Sequence, residues 1–275
     1  ILIKLFTLFF IFTLSLFAGV IKTPILSVDD ANHVVTVKVN KVDVGVSGFL
    51  VHRLSQRTST ILKSLEVIDY NADTEIATLS MKEFNSLNQN SLPKGNWDVE
   101  VGDIAILAYG YSRALLIAPN EEIYYRITKA TSQVHWVHPD IFTAILSFNG
   151  HPTPLREDFV DMSNATSVGL LFFYINEKLF TVDAQSMTVL NISDAPLNQT
   201  EVKLPFYSRI NEIDAAWFGE GSDKLKEYEP YYCKLLIDNN PSNKEIQKIC
   251  SMKSDIREEG ESSWSIKSIY NNLFQ

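Results

Sequence analysis

The stretch HVVTVKVNKVDVGVSGFLVHRL, residues 33–54, decides the fold of this chain. Valine recurs at positions 35, 37 and 39, which is typical of a strand that buries one face. Residues 42–54 are rich in β-branched side chains, and Gly45 and Gly48 have the spacing of bend or bulge positions. The stretch therefore predicts two successive β-strands.

Further β-patterned runs follow along the chain. Residues 60–70 and 75–81 flank an asparagine-containing turn and are predicted to form a hairpin. Apolar runs at residues 104–109 and 113–117 predict two more strands. Five to seven short strands within about 95 residues, separated by glycine and asparagine, indicate a small closed or half-closed barrel. Residues 20–30 are predicted to be an irregular lead-in to this barrel.

The periodicity changes after Pro119. Asn120 is a favourable N-cap and two glutamates follow it, so a helix is predicted over residues 120–130. The strongly apolar run at residues 168–175 is predicted to be a buried strand whose neighbours, in a meander, are residues 179–182 and 188–192. Further helices are predicted at residues 141–148, 156–161, 208–218, 223–236 and 242–251.

These patterns together predict an α+β fold. A small N-terminal β-barrel is expected over residues 25–118, followed by a mixed helix-and-antiparallel-sheet domain over residues 119–254. Residues 255–275 are charged and contain glycine, so a mobile C-terminal segment is expected there.

The first eighteen residues have the layout of a secretory signal peptide. Lys4 is their only charge, an apolar run occupies residues 5–17, and the small pair Ala18-Gly19 follows. That run is shorter than the roughly 20 residues of a membrane-spanning helix. Leu16 is a poor residue before a cleavage site, so an uncleaved anchor stays open as the alternative. We expect an exported protein of the periplasm, outer membrane or cell surface.

The net charge disfavours one class of partner, and the two cysteines predict a covalent cross-link. Lys and Arg number 24 against 33 Asp and Glu, a net charge of −9, which makes nucleic acid an unfavourable partner. Cys233 and Cys250, in an exported chain, predict a disulfide, and two separate buried thiols are the alternative. Closing such a loop stabilises a fold by roughly 3 kcal/mol on the chain-entropy model.

The histidines His135, His138 and His151 are the metal-ligand candidates of the chain. Two histidines three residues apart on a helix, with Asp140 or Glu157, could hold zinc. Pro139 disfavours a regular helix through His138, so the alternative is a helix cap. The sequence contains no Gly-x-Ser-x-Gly motif and no glycine-rich phosphate loop. We therefore expect no catalytic residues and no cofactor, and retain a histidine-dependent metal enzyme as a third hypothesis.

Three strings resemble a known family. DVGVSGFLV (residues 43–51), YSRALLIAPN (111–120) and HWVHPDIFTAILSFNGHPTP (135–154) are similar to the N-terminal domain of the plasminogen-binding protein A family, found in Helicobacter-like and Campylobacter-like bacteria. The resemblance extends over roughly residues 20–240. It implies an exported, envelope-associated binding protein, not an enzyme, that captures host plasminogen.

The resemblance also implies how capture occurs. Kringle modules of plasminogen hold a lysine ammonium and a nearby carboxylate, and internal lysines beside Asp or Glu can imitate a C-terminal lysine. The candidate contact residues are Lys224, Lys226, Lys248 and Lys253. The competing hypothesis is a structural or assembly component of the cell envelope that docks other envelope proteins.

Overall fold

The first six strands close into an antiparallel barrel. The computed structural model describes residues 19–84, 97–131, 133–197 and 201–251. The barrel strands are β1 (Ile21–Asp29), β2 (Val34–Lys38), β3 (Ser47–Arg53), β4 (Ser59–Asn71), β5 (Ile76–Glu83) and β6 (Ile104–Leu107). Their order around the barrel is β1-β2-β5-β4-β3-β6. The predicted barrel is confirmed.

Alternation explains most of the barrel. In β2 and β5 every second side chain is buried, so valine, alanine, leucine and methionine fill the interior while the alternate side chains, most of them polar, face outward. The segment expected as an irregular lead-in is instead strand β1, which pairs with β2 and β6. Pro24 lies just before a register shift between Ile25 and Ser27, a position where a strand tolerates proline.

The second sheet has five strands in the order β11-β10-β9-β7-β8. They are β7 (Arg113–Ile117), β8 (His135–Val137), β9 (Leu170–Ile175), β10 (Lys178–Asp183) and β11 (Val189–Asp194). The predicted antiparallel meander is formed by β9, β10 and β11. Strand β7, by contrast, pairs in parallel with both β8 and β9, so the sheet is mixed.

Helices lie around this sheet. They are α1 (Glu121–Ala130), α2 (Pro139–Asn149), α3 (Arg156–Thr166) and α4 (Tyr228–Asn239), and residues 244–251 are also helical. The α+β class is confirmed. Because β7 belongs to the second sheet and not to the barrel, the chain crosses from one part to the other near residue 110. The division at residues 118 and 119 into two domains stays a prediction.

The helix predicted over residues 208–218 is wrong. Residues 201–227 contain no helix or strand, and α4 begins only at Tyr228. The expected cap of α1 is present, since Asn120 Oδ1 accepts a hydrogen bond from Ile123 N at 2.9 Å. In the described ranges, no helix is both long and apolar enough to span a bilayer.

The sheet buries both of its faces. Leu116, Phe172 and Tyr174 pack into the same core as the barrel interior, whereas Leu115 and Phe173 face the core formed with α2, α3 and α4. A strand buried on both sides needs a continuous apolar run, which accounts for LLFFYI in β9. One face of the sheet therefore shares a core with the barrel, and the other face forms a second core with the helices.

The predicted disulfide joins Cys233 of α4 to Cys250 of the helix at residues 244–251, with Cα atoms 5.6 Å apart. It fixes the last described segment against the sheet domain. The predicted signal peptide at residues 1–18 and the predicted mobile segment at 255–275 lie outside the described residues.

Candidate functional site

A segment without regular structure runs along α2 and carries the candidate lysines that precede α4. We call residues 203–227 the strap. Arg209 Nε donates to Asp140 Oδ2 at 2.7 Å at the start of α2, and Ala216 N donates to Gly150 O at 2.9 Å beyond its end. Asp214 N donates to Ser147 Oγ at 3.2 Å between these points. The strap thus follows the helix from one end to the other.

Asp140 is the first anchor of the strap. Its Oδ1 accepts hydrogen bonds from Ser208 Oγ at 3.0 Å and from Arg209 N at 2.9 Å. Burial by itself raises the pKa of Asp140, but hydrogen bonds from Arg209 and Ser208 outweigh burial and hold the pKa below its ordinary value. Asp140 therefore stays ionised, and its charge holds the strap against the N-terminus of α2.

His138 is a helix cap, as the alternative interpretation expected. Its Nδ1 accepts a hydrogen bond from Asp140 N at 3.2 Å. Its Nε2 is buried and has no partner among the described residues. Burial lowers the pKa of His138, although the Asp140 carboxylate opposes this shift. The ring is therefore held neutral, next to Tyr124 at a ring-centroid distance of 5.4 Å.

The structure does not bring the three candidate metal ligands together. His135 lies exposed on β8, while His138 and His151 lie at opposite ends of α2, an 11-residue helix. Such a helix is about 16 Å long. His151 Nδ1 pairs with the buried Asp158 at 2.9 Å. Among the described residues no group of three or more His, Cys, Asp or Glu side chains could hold a metal ion.

A cavity of about 250 Å³ lies beneath the strap, and Lys224 lies at its edge. Lys224 Nζ is 3.2 Å from Glu212 Oε1, and both side chains are 75 % exposed. The pair thus presents an ammonium and a carboxylate side by side toward solvent.

The other lysine candidates are more scattered. Lys226 lies exposed in the strap, two residues after Lys224, and Lys248 lies exposed on the helix at residues 244–251. Lys253 falls outside the described residues. The structure therefore places Lys224 and Lys226 together on one segment and Lys248 on another element.

Sequence reasoning missed exposed aromatic side chains where the strap passes the C-terminal end of α2. Trp217 is 100 % exposed, Phe218 is 88 % exposed, and Phe148 in the last turn of α2 is 91 % exposed. We call these three residues the aromatic tip. The sequence signal was Trp-Phe directly before Gly-Glu-Gly, a pairing that the wrongly predicted helix over 208–218 obscured.

Comparison with known proteins assigns the family. The family described as "Plasminogen-binding protein pgbA N-terminal" matches residues 20–236. This chain belongs to that family. The match covers the barrel, the second sheet and the whole strap, including Lys224 and Lys226. Lys248, Lys253 and Cys250 lie beyond its end.

Two curated relatives of this chain come from Helicobacter pylori. Two proteins named plasminogen-binding protein PgbA, from Helicobacter pylori strains J99 / ATCC 700824 and ATCC 700392 / 26695, are each 26 % identical over 213 residues. The alignment covers 76 % of this chain and 46 % of each relative. The chain thus spans less than half the length of these relatives. No solved structure matches it.

Proposed function

We propose that this protein is an exported, envelope- or surface-associated binding protein that captures plasminogen through lysine side chains. Family membership over residues 20–236 is the observation that carries the proposal, together with the name that the two relatives share. The protein binds and does not catalyse; any activation of bound plasminogen would be the work of other enzymes.

Lys224 and Lys226 are the lysines that we favour as the contact. Both lie exposed on the strap, inside the segment that the family match covers. Lys224 already has a carboxylate, Glu212, at 3.2 Å, so it offers both charges of the lysine zwitterion. Charge-assisted contacts and burial of the lysine stem against aromatic rings would supply the binding free energy.

Plasminogen binding with and without competing free lysine tests this proposal. The double variant Lys224→Ala/Lys226→Ala should bind immobilised plasminogen at least about 10-fold more weakly, equivalent to about 1.4 kcal/mol. Excess free lysine should displace the wild-type protein. Binding that is indifferent to free lysine would rule the mechanism out.

A barrel lysine supplies the matched control. Lys38 forms an exposed ion pair with Glu75 at 3.6 Å, the same chemistry in another part of the fold. Lys38→Ala should leave plasminogen binding unchanged. Separate Lys248→Ala and Lys253→Ala variants measure what the other two candidates add.

Protease treatment of intact cells tests the proposed export. A surface protein is cleaved by added protease, whereas a periplasmic one is cleaved only after the outer membrane is opened. Recovery of the protein from the cytosol with reduced cysteines would contradict both export and capture.

The aromatic tip favours a second candidate function, that of an envelope assembly component. Large aromatic side chains this exposed are uncommon on a monomer and mark protein contacts. If assembly is the function, Trp217→Ser/Phe218→Ser should abolish cross-linking to a neighbouring envelope protein while leaving plasminogen binding intact. Loss of plasminogen binding in this variant would instead assign the tip to capture.

A further inference from the structure

A cleft of about 460 Å³ lies between the barrel and the second sheet domain, away from the strap. Strands β3, β4 and β6 form one wall. The end of α3 and the turn after β10 form the other. Phe49, Phe84 and Tyr109 line the first wall, and Ser163, Asn164 and Gln185 line the second.

The barrel wall of the cleft is aromatic. The ring of Phe49 lies 5.5 Å from that of Phe84 and 5.5 Å from that of Tyr109, edge to face in both cases. Tyr109 is 49 % exposed, so its ring is available to a ligand. The three rings offer an apolar wall of aromatic faces and edges, of the kind against which ligand C–H groups pack.

The facing wall carries amides and hydroxyls. Gln185 Nε2 donates to Ser163 Oγ at 2.9 Å and to Asn164 Oδ1 at 2.8 Å. These bonds orient the two amides and leave Asn164 Nδ2 and Gln185 Oε1 without a partner among the described residues. One donor and one acceptor are therefore available side by side.

The two walls are held at a fixed separation. Ser47 N and Ser47 Oγ donate to Asp183 Oδ2 at 3.0 and 2.7 Å, and Gln185 N donates to Asp183 Oδ1 at 2.9 Å. Gly169 N donates to Gly110 O at 3.0 Å, an approach so close that a Cβ on Gly169 would lie 2.5 Å from Gly110 C. The cleft is thus formed before any ligand arrives, which reduces the entropy cost of binding.

We propose that this cleft binds a neutral sugar. A sugar ring has an apolar C–H face, which matches the aromatic wall, and a rim of hydroxyls, which matches the amide and serine wall. Among the described lining residues none is charged, so an ionic ligand would lose its hydration without gaining a counter-charge. A pure hydrocarbon would leave the two amides unpaired. The volume lies in the range of about 300–1,000 Å³ that holds small ligands.

Saturation-transfer NMR and titration calorimetry with defined sugars test the proposal. The probes are glucose, galactose, N-acetylglucosamine and their disaccharides, with glucuronate and glucosamine as charged comparators. We expect at least one neutral sugar to bind with a Kd below about 10 mM, and the charged comparators to bind at least about 10-fold more weakly. Absence of saturable binding by every neutral sugar, or preference for a charged one, would overturn it.

Two substitutions connect any binding to the cleft. Tyr109→Ala and Gln185→Ala should each weaken sugar binding about 10-fold or more, because one removes the stacking surface and the other the amide acceptor. Tyr125→Ala is the matched control, since Tyr125 is a 52 % exposed tyrosine on α1, outside the cleft. Sugar binding that survives both cleft substitutions, or falls equally in Tyr125→Ala, places the sugar elsewhere and contradicts the proposal. Plasminogen binding should not change in Tyr109→Ala or in Gln185→Ala.

Discussion

Asp183 holds the barrel against the second sheet through one fully buried carboxylate. Its oxygens accept hydrogen bonds from Ser47 N, Ser47 Oγ, Tyr111 Oη, Gln185 N and Ser186 N, all between 2.7 and 3.0 Å. Burial, followed by the charge of Asp183, raises the pKa of Tyr111 well above its ordinary value, so the phenol stays a donor. The negative charge is thus satisfied entirely by donors from both parts of the fold.

Replacing this carboxylate by an amide should be strongly destabilising. Asp183→Asn removes the charge and turns an NH₂ group toward existing donors, which we expect to cost about 3 kcal/mol of unfolding free energy. Urea denaturation followed by circular dichroism measures it. Asp194→Asn is the control, because Asp194 pairs with Lys178 at the surface and should change stability by less than about 1 kcal/mol. Equal effects of the two substitutions would refute the role given to Asp183.

His138 should make the fold sensitive to mild acid. Burial lowers its pKa in the native state, so the unfolded chain, with an ordinary histidine pKa of about 6.5, takes up a proton first. The stability that His138 contributes is therefore complete above about pH 6.5 and is lost as the pH falls from there through the native pKa. Asp140, whose native pKa is also lowered, extends the loss to lower pH.

The substitution His138→Asn separates this effect from general acid sensitivity. Asparagine keeps an oxygen that can cap α2 but cannot titrate. Unfolding free energies of the two proteins should lie within about 1 kcal/mol at pH 8, since both are capped there. Between pH 6.5 and 5 the wild type should lose stability more steeply than the variant. If the unfolding free energies of the two proteins fall in parallel over this interval, titration of His138 does not contribute to the acid sensitivity.

At the scale of elements, local pattern was sufficient for most strands and helices. Alternation predicted β2, a turn signal predicted the hairpin of β4 and β5, and a cap with acidic neighbours predicted α1. The sequence predicted an irregular lead-in where β1 lies, whereas pairing with two neighbouring strands stabilises this segment as a strand. The parallel pairing of β7 with β8 and β9 could not be predicted from the sequence pattern, since strand order depends on tertiary packing.

The strap failed as a sequence prediction for a related reason. Apolar residues such as Ile210 and Ile213 recur at a helix-like interval, but Ile213 lies in the same buried cluster as Phe142 of α2. The strap backbone donates hydrogen bonds to Asp140, Ser147 and Gly150 instead of forming a helix. Hydrogen bonds between residues far apart in the chain cannot be predicted from the spacing of apolar residues within one segment. For the same reason the ion pair of Lys224 and the exposure of the aromatic tip could not be foreseen, although the lysines themselves were named.

Gly150 provides a test of how the strap is attached. It ends α2 with φ of 74°, and a Cβ there would lie 2.7 Å from both Ala216 N and Ala216 Cβ. Gly150→Ala should therefore combine left-handed strain with a clash and cost about 2–3 kcal/mol of unfolding free energy. Gly102→Ala is the control: Gly102 has φ of 97°, but a Cβ there would meet no atom within 4 Å. Only the backbone strain applies, so we expect this substitution to cost about 1 kcal/mol of unfolding free energy.

Hydrogen exchange distinguishes a local from a global effect of Gly150→Ala. The amide of Ala216, which bonds to Gly150 O, should exchange faster in this variant than in Gly102→Ala at equal overall stability. Unchanged protection at Ala216 would mean that the strap does not depend on this contact.

At the scale of the whole molecule, the barrel and the second sheet should unfold together. Val37 and Leu79 of the barrel lie in the same buried cluster as Phe172 and Tyr174 of β9, so separating the two parts would expose apolar surface from both. The sequence predicts two domains, and the shared cluster leads us to expect that they unfold as one unit.

Native-state hydrogen exchange at increasing urea concentration measures this cooperativity. Amides of β2 and β5 should lose protection at the same denaturant concentration as those of β9 and β10, because opening either part exposes the shared core. Asp183→Asn, which loosens the joint, should lower both transitions together. If the barrel amides instead exchange in a separate transition while β9 stays protected, the barrel is an independent unit and the shared core does not couple the two.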